Sequence, residues 1–169
     1  MNKNREYPER PFVGVGVIVL RNEEVLLVQR GKSPNKGQWS IPGGKQRLGE
    51  TIFQAAHREI FEETGVKVDQ LDLIDVVDII IPDGEGKIRY HYTVVDFQGQ
   101  WLSGECRSGD DAHAVKWFKL NELGSLSLSE KAKEIILKAF KNYKVGKHHI
   151  DVSTNPSKSE VAVPVIPES

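Results

Sequence analysis

The sequence contains a single cysteine, Cys106, among its 169 residues, so it cannot form an internal disulfide. Disulfides persist in oxidising compartments, and their absence favours a reducing, cytoplasmic setting. No apolar run approaches the roughly 20 residues of a membrane span. The first residues, Met1–Arg5, are polar, whereas a signal peptide would have an apolar core. These absences predict a soluble, cytoplasmic protein with no membrane partner.

The sequence also has no excess of charge of either sign. Its 23 Lys and Arg residues and 24 Asp and Glu residues give a formal charge of −1. A chain this close to neutral has no field that would favour nucleic acid or an anionic membrane surface, and we expect neither as a partner. A length of 169 residues suits one domain with a proper hydrophobic core.

Short apolar runs bounded by turn residues predict the strands. Phe12–Leu20 and Glu23–Gln29 are expected to be neighbouring strands joined by a tight turn at Arg21–Asn22. A turn at Pro82–Gly84 separates two later strand-like runs. The further extended segments are predicted at Trp39–Ile41, Val66–Ile81, Lys87–Phe97 and Ala114–Phe118.

Two longer helices and one short one are predicted. Thr51 and Gln54 form a capping box that begins the first helix, and Gly65 is a suitable residue to end it. Ser129–Tyr143 has the apolar spacing of an amphipathic helix, and Asn121–Leu123 is expected to be helical as well. From about Gly146 this periodicity stops. We therefore predict a domain at 1–145 and a disordered tail at 146–169, with docking of the tail on a strand edge as the alternative.

The first predicted helix carries three glutamates near its C-terminal end: Glu59, Glu62 and Glu63. Like charges three or four residues apart cost roughly 0.2–0.5 kcal/mol a pair, and the helix dipole disfavours carboxylates there. At 3.6 residues per turn the three fall within about 100° of arc, beside the apolar stripe instead of opposite it. A bound hard cation, which prefers oxygen ligands, would offset this repulsion. The pattern therefore predicts a metal site.

These residues resemble the Nudix box, which is Gly, five residues, Glu, seven residues, then Arg-Glu-aliphatic-any-Glu-Glu-any-Gly-aliphatic. The chain matches it without departure at Gly44, Glu50, Arg58, Glu59, Ile60, Glu62, Glu63, Gly65 and Val66. The resemblance extends to the preceding segment Gly37–Gly43 and covers about residues 12–143.

The resemblance implies a Nudix hydrolase with an α/β fold, an α/β/α sandwich around a mixed sheet. It implies hydrolysis of a diphosphate linkage in a small-molecule nucleotide, with Mg²⁺ or Mn²⁺ as the cofactor. The metal would be held by the carboxylates and by one backbone carbonyl, at Glu50, Glu59, Glu62, Glu63 and Gly43. Arg58 would orient the glutamates through charge-assisted hydrogen bonds. Many relatives are dimers, so the resemblance is compatible with a homodimer as well as with a monomer.

The residue that takes the proton from the attacking water varies within this family. Glu59 is one candidate, and the pair Asp110–Asp111 in a late loop is the other, although a solvated turn explains that pair equally well. Glu105 in the same loop is a weaker candidate. The predicted substrate contacts are Arg30, Trp39 and Gly44. Arg30 is alternatively a solvated loop residue, and Trp39 is alternatively part of the core.

The box specifies the reaction and leaves the substrate open. ADP-ribose, split into AMP and ribose phosphate, is the first choice, because Pro82 lies sixteen residues beyond Val66, as a proline does in ADP-ribose pyrophosphatases. An ordinary turn also explains Pro82. Hydrolysis of nucleoside triphosphates, including oxidised ones, is the alternative. A Nudix domain that only senses a nucleotide is the third hypothesis, and the intact set of box glutamates argues against it.

Overall fold

The computed structural model describes residues 5–31, 35–109 and 112–145. In these residues seven strands form one mixed sheet in the order β3-β2-β1-β6-β5, with β4 also pairing with β1 and β7 with β2. The strands are β1 (Phe12–Arg21), β2 (Glu24–Arg30), β3 (Trp39–Ser40), β4 (Gly43–Lys45), β5 (Lys67–Pro82), β6 (Ile88–Ser103) and β7 (Ala112–Lys119). The helices are α1 (Ile52–Thr64), a 3-10 helix (Leu120–Ser125) and α2 (Glu130–Val145).

Strand β1 lies at the centre of the sheet and contributes to the core on both of its faces. It runs parallel to β6 and antiparallel to β2 and β4. Because side chains alternate along a strand, Val17 points to the face covered by α1 and Ile18 to the face covered by α2. Both are fully buried. The helices therefore enclose the sheet from two sides, which confirms the α/β/α sandwich.

Helix α1 begins and ends at the predicted residues. The Thr51 side chain accepts from the backbone N–H of Gln54, and the Gln54 side chain accepts from the backbone N–H of Thr51. Gly65 ends the helix in the left-handed conformation, with φ 73°. The buried face consists of Ala55, Ala56, Ile60 and Thr64. The opposite positions Gln54, His57 and Phe61 are exposed, as the helical spacing predicts.

Several element bounds differ from the sequence expectations. The first hairpin turn is Asn22–Glu23, one residue later than predicted, because Arg21 still pairs with Glu24 and Asn22 adopts the positive φ of 54°. Strands β5 and β6 each extend over 16 residues, since long-range pairing carries them beyond their apolar runs. No helix in the described residues is long and apolar enough to cross a membrane. The predicted tail, 146–169, lies outside the described residues.

Candidate active site

Two adjacent glycines bring strand β4 against helix α1. Strand β4 pairs with Gly14–Gly16 of β1, so the backbone of β4 lies directly beside the central strand of the sheet. A Cβ added at Gly44 would lie 2.5 Å from both carboxylate oxygens of Glu59. A Cβ at Gly43 would collide with the backbone of β1, including Gly16 Cα at 2.9 Å. Glycine at position 44 thus lets the Glu59 carboxylate approach β4, and glycine at position 43 lets β4 lie close to β1.

The backbone of β4 also holds a second carboxylate of the helix. The N–H of Gly43 donates a hydrogen bond to Glu63 Oε2 at 2.9 Å. Glu59 and Glu63 are one turn apart on α1, so they lie on the same face of the helix. The two carboxylates contact consecutive glycines of one short strand. This juxtaposition gathers backbone and side-chain oxygens in one small region.

Arg58 joins the remaining carboxylates of the site. Its guanidinium donates to Glu50 through Nε and through NH2, the latter at 3.0 Å, to Glu59 at 2.7 Å, and to Glu62 at 3.2 Å. NH2 also donates to the backbone carbonyl of Lys45 at 3.0 Å, which ties the helix to β4. The side chains of Arg58 and Glu50 are each only 16% exposed. Such charge-assisted bonds are among the strongest in proteins.

These contacts keep the arginine and its main partner charged. The hydrogen bonds from Arg58 lower the pKa of the Glu50 carboxyl to about 2. In turn, the Glu50 carboxylate raises the pKa of Arg58 above its usual value. Glu50 is therefore ionised at any pH at which the protein is expected to work.

Arg47 is a further cation at the site that the sequence analysis did not single out. Its backbone N–H donates to Glu50 Oε2 at 2.7 Å, and its side chain lies 3.5 Å from the Glu62 carboxylate. The signal available in the sequence was its position between Gly44 and Glu50, the first two fixed residues of the motif.

The donor set fits a hard divalent cation. Among the contacts that the described residues make here, four carboxylates (Glu50, Glu59, Glu62 and Glu63) lie beside the guanidinium groups of Arg58 and Arg47, so carboxylates outnumber guanidinium groups. All the donors are oxygens, which Mg²⁺ and Mn²⁺ prefer. In the described residues no three acidic, histidine or cysteine side chains already surround one point as metal ligands. The carboxylates instead bond to Arg58 and to the Gly43 N–H, and they would exchange those bonds for bonds to the ion.

Comparison with known proteins shows the family of the chain. The NUDIX domain profile matches residues 10–140. The chain belongs to the Nudix family. An ADP-ribose pyrophosphatase of Methanocaldococcus jannaschii is 34% identical over 136 residues, which cover 80% of this chain and 76% of the relative. An 8-oxo-dGTP diphosphatase of Proteus vulgaris is 35% identical over 100 residues, which cover 57% of this chain and 88% of the relative.

Solved structures of Nudix proteins share the fold. A MutT NUDIX hydrolase from Burkholderia pseudomallei matches with a TM-score of 0.67 and 32% identity, covering 77% of this chain and 98% of that one. A bifunctional NMN adenylyltransferase/ADP ribose pyrophosphatase from Francisella tularensis, complexed with AMP and a Mn ion, matches with a TM-score of 0.59 and 34% identity. That match covers 79% of this chain and 42% of the Francisella protein. The present chain is accordingly a Nudix hydrolase.

Most of the predicted site residues belong to the Nudix motif. Arg30 and Trp39, the predicted substrate contacts outside it, lie on or beside β2 and β3. Arg30 is exposed at the end of β2, where its backbone bonds to Gln38 and Gly37. Trp39 is half-buried and packs edge to face against Phe118, with ring centroids 4.7 Å apart. The structure therefore gives the Trp39 ring a packing partner on the α2 side of the sheet.

The late loop reaches the C-terminal end of the Nudix helix. The N–H of Arg107 donates to Thr64 O at 2.8 Å, and the N–H of Gly109 donates to Glu63 O at 3.0 Å. A Cβ at Gly109 would collide with the backbone carbonyl of Glu62, so glycine permits this approach. Asp110 and Asp111 follow directly in the chain and lie outside the described residues. Glu105, the weaker candidate, is exposed.

Proposed function

We propose that this Nudix hydrolase cleaves the diphosphate linkage of a nucleoside diphosphate derivative, and that ADP-ribose, split into AMP and ribose phosphate, is its substrate. The observation that carries the proposal is the site itself, in which Glu59 and Glu63 lie against the glycines of β4 and Arg58 bonds to Glu50, Glu59 and Glu62. The choice of ADP-ribose rests on the similarity to the Methanocaldococcus enzyme, which extends over most of both chains.

The residues of the site suggest a division of roles. Glu59, Glu62 and Glu63 would hold Mg²⁺ or Mn²⁺, with Glu50 and the Gly43 carbonyl as further ligands. Bound divalent cations would neutralise the diphosphate and lower the pKa of a coordinated water. Arg58 would keep the carboxylates in position, because it already contacts three of them. We infer action in the cytoplasm from the single cysteine of the chain.

Two candidates for the proton acceptor remain, and variants separate them. Glu59 forms an ion pair with Arg58, and its carboxylate lies directly against Gly44. Glu59 is therefore inside the carboxylate cluster of the site. Asp110 and Asp111 follow the segment that bonds to the end of the helix. Replacing the proton-accepting carboxylate with an amide should remove the ionisation of that group from the pH profile of kcat. Replacing a metal-binding carboxylate should instead mainly raise the metal concentration needed for activity. Glu59→Gln, Asp110→Asn and Asp111→Asn are therefore assayed across a range of pH and Mg²⁺ concentration.

Pro82 contributes less to the substrate assignment than the sequence suggested. It ends β5 at the turn of the β5–β6 hairpin, and the following Asp83 accepts hydrogen bonds from the backbone of Glu85 and Lys87. This is the geometry of an ordinary turn, which explains the proline without reference to a substrate.

A panel of substrates tests the proposal. ADP-ribose, nucleotide sugars, nucleoside triphosphates and dinucleoside polyphosphates are incubated with Mg²⁺ or Mn²⁺, and the products are separated. We expect AMP and ribose phosphate from ADP-ribose, no turnover with EDTA, and the highest kcat/KM for ADP-ribose. A much higher kcat/KM for a triphosphate, with ADP-ribose nearly inert, would refute the substrate assignment.

The alternative is pyrophosphohydrolysis of nucleoside triphosphates, including oxidised ones. The observation that favours it is the similarity to the Proteus vulgaris 8-oxo-dGTP diphosphatase. The products distinguish the two reactions, because a triphosphate would give a nucleoside monophosphate and pyrophosphate.

A further inference from the structure

A cleft of about 400 Å³ opens beside the carboxylate cluster. One wall is formed by residues 10–13, where the chain enters β1, and the other by residues 46–50, in the turn between β4 and α1. The backbone N–H of Gln46 donates to Val13 O at 3.0 Å, so the two walls are joined by a hydrogen bond. Small-molecule sites in proteins measure about 300–1,000 Å³, so the cleft is large enough for one nucleotide.

The cleft lies on the same side of the sheet as the carboxylates. Glu50 lines it, and so does Arg47, whose guanidinium lies 3.5 Å from the Glu62 carboxylate. Val13 points to the same face of the sheet as Val15, which packs on the α1 side. A substrate whose diphosphate lies at the carboxylate cluster can therefore extend into the cleft without crossing the sheet.

Two guanidinium groups line the cleft. Arg10 is exposed, and in the part of the chain that the structure describes no hydrogen bond or ion pair holds its side chain. Arg47 is 63% exposed, and its ion pair with Glu62 is long. Because a guanidinium can donate two parallel hydrogen bonds to a phosphate group, these side chains suit a phosphate that lies between the cleft and the carboxylates.

A further cation lies next to the cleft. Lys45 Nζ is 4.7 Å from the centroid of the Phe12 ring, and Phe12 lines the cleft. Burial and the nearby charge of Arg5 lower the pKa of Lys45. A bound anion would reduce the repulsion between these positive charges.

The cleft also has apolar surface that is open to solvent. Leu48 is fully exposed and Val13 is 38% exposed, and Pro11 lies beside Val13 in the same wall. A single exposed leucine is common on protein surfaces, but several apolar side chains around one cleft are typical of a ligand site. A nucleobase would cover this surface, whereas a ribose with its hydroxyl groups would gain little from it.

We propose that this cleft binds the AMP half of the substrate. Arg10 and Arg47 bond to the phosphate of that half, and the adenine lies against Leu48 and Val13. Arg10 and Leu48 are thus specificity-determining residues outside the fixed positions of the Nudix motif. This inference rests on the proposed function, since it assigns a place to one half of ADP-ribose.

Calorimetric titration with AMP and with ribose 5-phosphate, in the presence of Mg²⁺, tests the proposal. The wild type should bind AMP more tightly than ribose 5-phosphate. Arg10→Ala should raise the Kd for AMP about tenfold, because one charge-assisted hydrogen bond is lost, and Arg10→Lys, which keeps the charge, should restore most of the affinity. Leu48→Ser should raise the Kd for AMP about threefold, because less apolar surface is covered. Ribose 5-phosphate should bind all of these proteins equally.

Two variants on α2 are the matched controls. Lys141→Ala removes one exposed positive charge, and Leu137→Ser removes an exposed leucine, both from the helix on the opposite face of the sheet. Each should bind AMP as the wild type does. An unchanged Kd for AMP in both Arg10→Ala and Leu48→Ser would overturn the proposal, as would a wild type that does not bind AMP. An equal loss of affinity for AMP and ribose 5-phosphate in Arg10→Ala would overturn the assignment to the nucleoside half.

Turnover of ADP-ribose by the same variants lets the two hypotheses fail separately. Arg10→Ala should raise KM for ADP-ribose about tenfold. If only triphosphates are hydrolysed, the proposed function is wrong, and the titration with AMP still decides whether the cleft binds a nucleotide. If ADP-ribose is hydrolysed and neither KM nor the Kd for AMP changes in the cleft variants, the proposed function stands and the cleft is not part of the substrate site.

Discussion

Replacing Asp96 with asparagine should stabilise the protein at neutral pH. Burial, together with the nearby charge of Asp75, raises the pKa of Asp96 from 3.8 to about 6. At about 1.4 kcal/mol per pKa unit, ionisation of this group reduces the free energy of unfolding by about 3 kcal/mol. An asparagine side chain has a similar volume and no charge, so the Asp96→Asn variant should recover up to that amount.

The sign of the effect follows from the raised pKa. Below pH 3.8, Asp96 is protonated in both the folded and the unfolded state, and its contribution to stability is fully present. Between pH 3.8 and about 6 the folded state retains a proton that the unfolded state has lost, so stability falls as the pH rises. The gain from Asp96→Asn should therefore be close to zero at acid pH and reach its full size above pH 7.

Urea and thermal denaturation of both proteins at a series of pH values check this prediction. At pH 7.5 the melting temperature of Asp96→Asn should lie higher by roughly 6–12 °C for a domain of this size. Asp72→Asn, which removes an exposed carboxylate, is the matched control and should change stability by less than about 0.5 kcal/mol. Equal stability of Asp96→Asn and the wild type at pH 7.5, or the same difference at every pH, would refute the reasoning.

Three further predictions concern the motif and the tail. Glu63→Gln keeps an acceptor for the Gly43 N–H but loses a charge, so kcat/KM should fall by at least about a hundredfold. The melting temperature should be maintained, and turnover at the wild-type rate would contradict the assignment of Glu63 as a metal ligand. Gly44→Ala should displace the Glu59 carboxylate and reduce activity at least about tenfold, whereas Gly84→Ala, which has open space around it, should be neutral in the same assay. Deleting 146–169 should change neither melting temperature nor activity, and a fall of many degrees by calorimetry would show that the tail docks on the domain.

The elements that were predicted well from sequence depend on short-range physics. The capping box of Thr51 and Gln54 and the left-handed Gly65 each involve residues within one turn of α1, so spacing alone locates them. The Nudix motif is a continuous stretch from Gly44 to Val66 that residue spacing alone identifies, and the family profile confirms it. The first turn was misplaced by one residue, because the register of β1 and β2 is set by pairing along the whole hairpin.

The sequence by itself identified the candidate groups for the chemistry, namely glutamates at helical spacing that follow the glycines of the Nudix motif. Only the tertiary structure decided how they meet. Arg58 bonds to Glu50 and also to the Lys45 carbonyl because β4 packs on α1, and the second contact does not follow from the spacing of the motif. The placement of Asp96 over Gly16 arises from parallel pairing of β1 and β6, which are far apart in the chain. A charge inside an apolar run is visible in the sequence, but its direction depends on strands that come together only when the sheet forms.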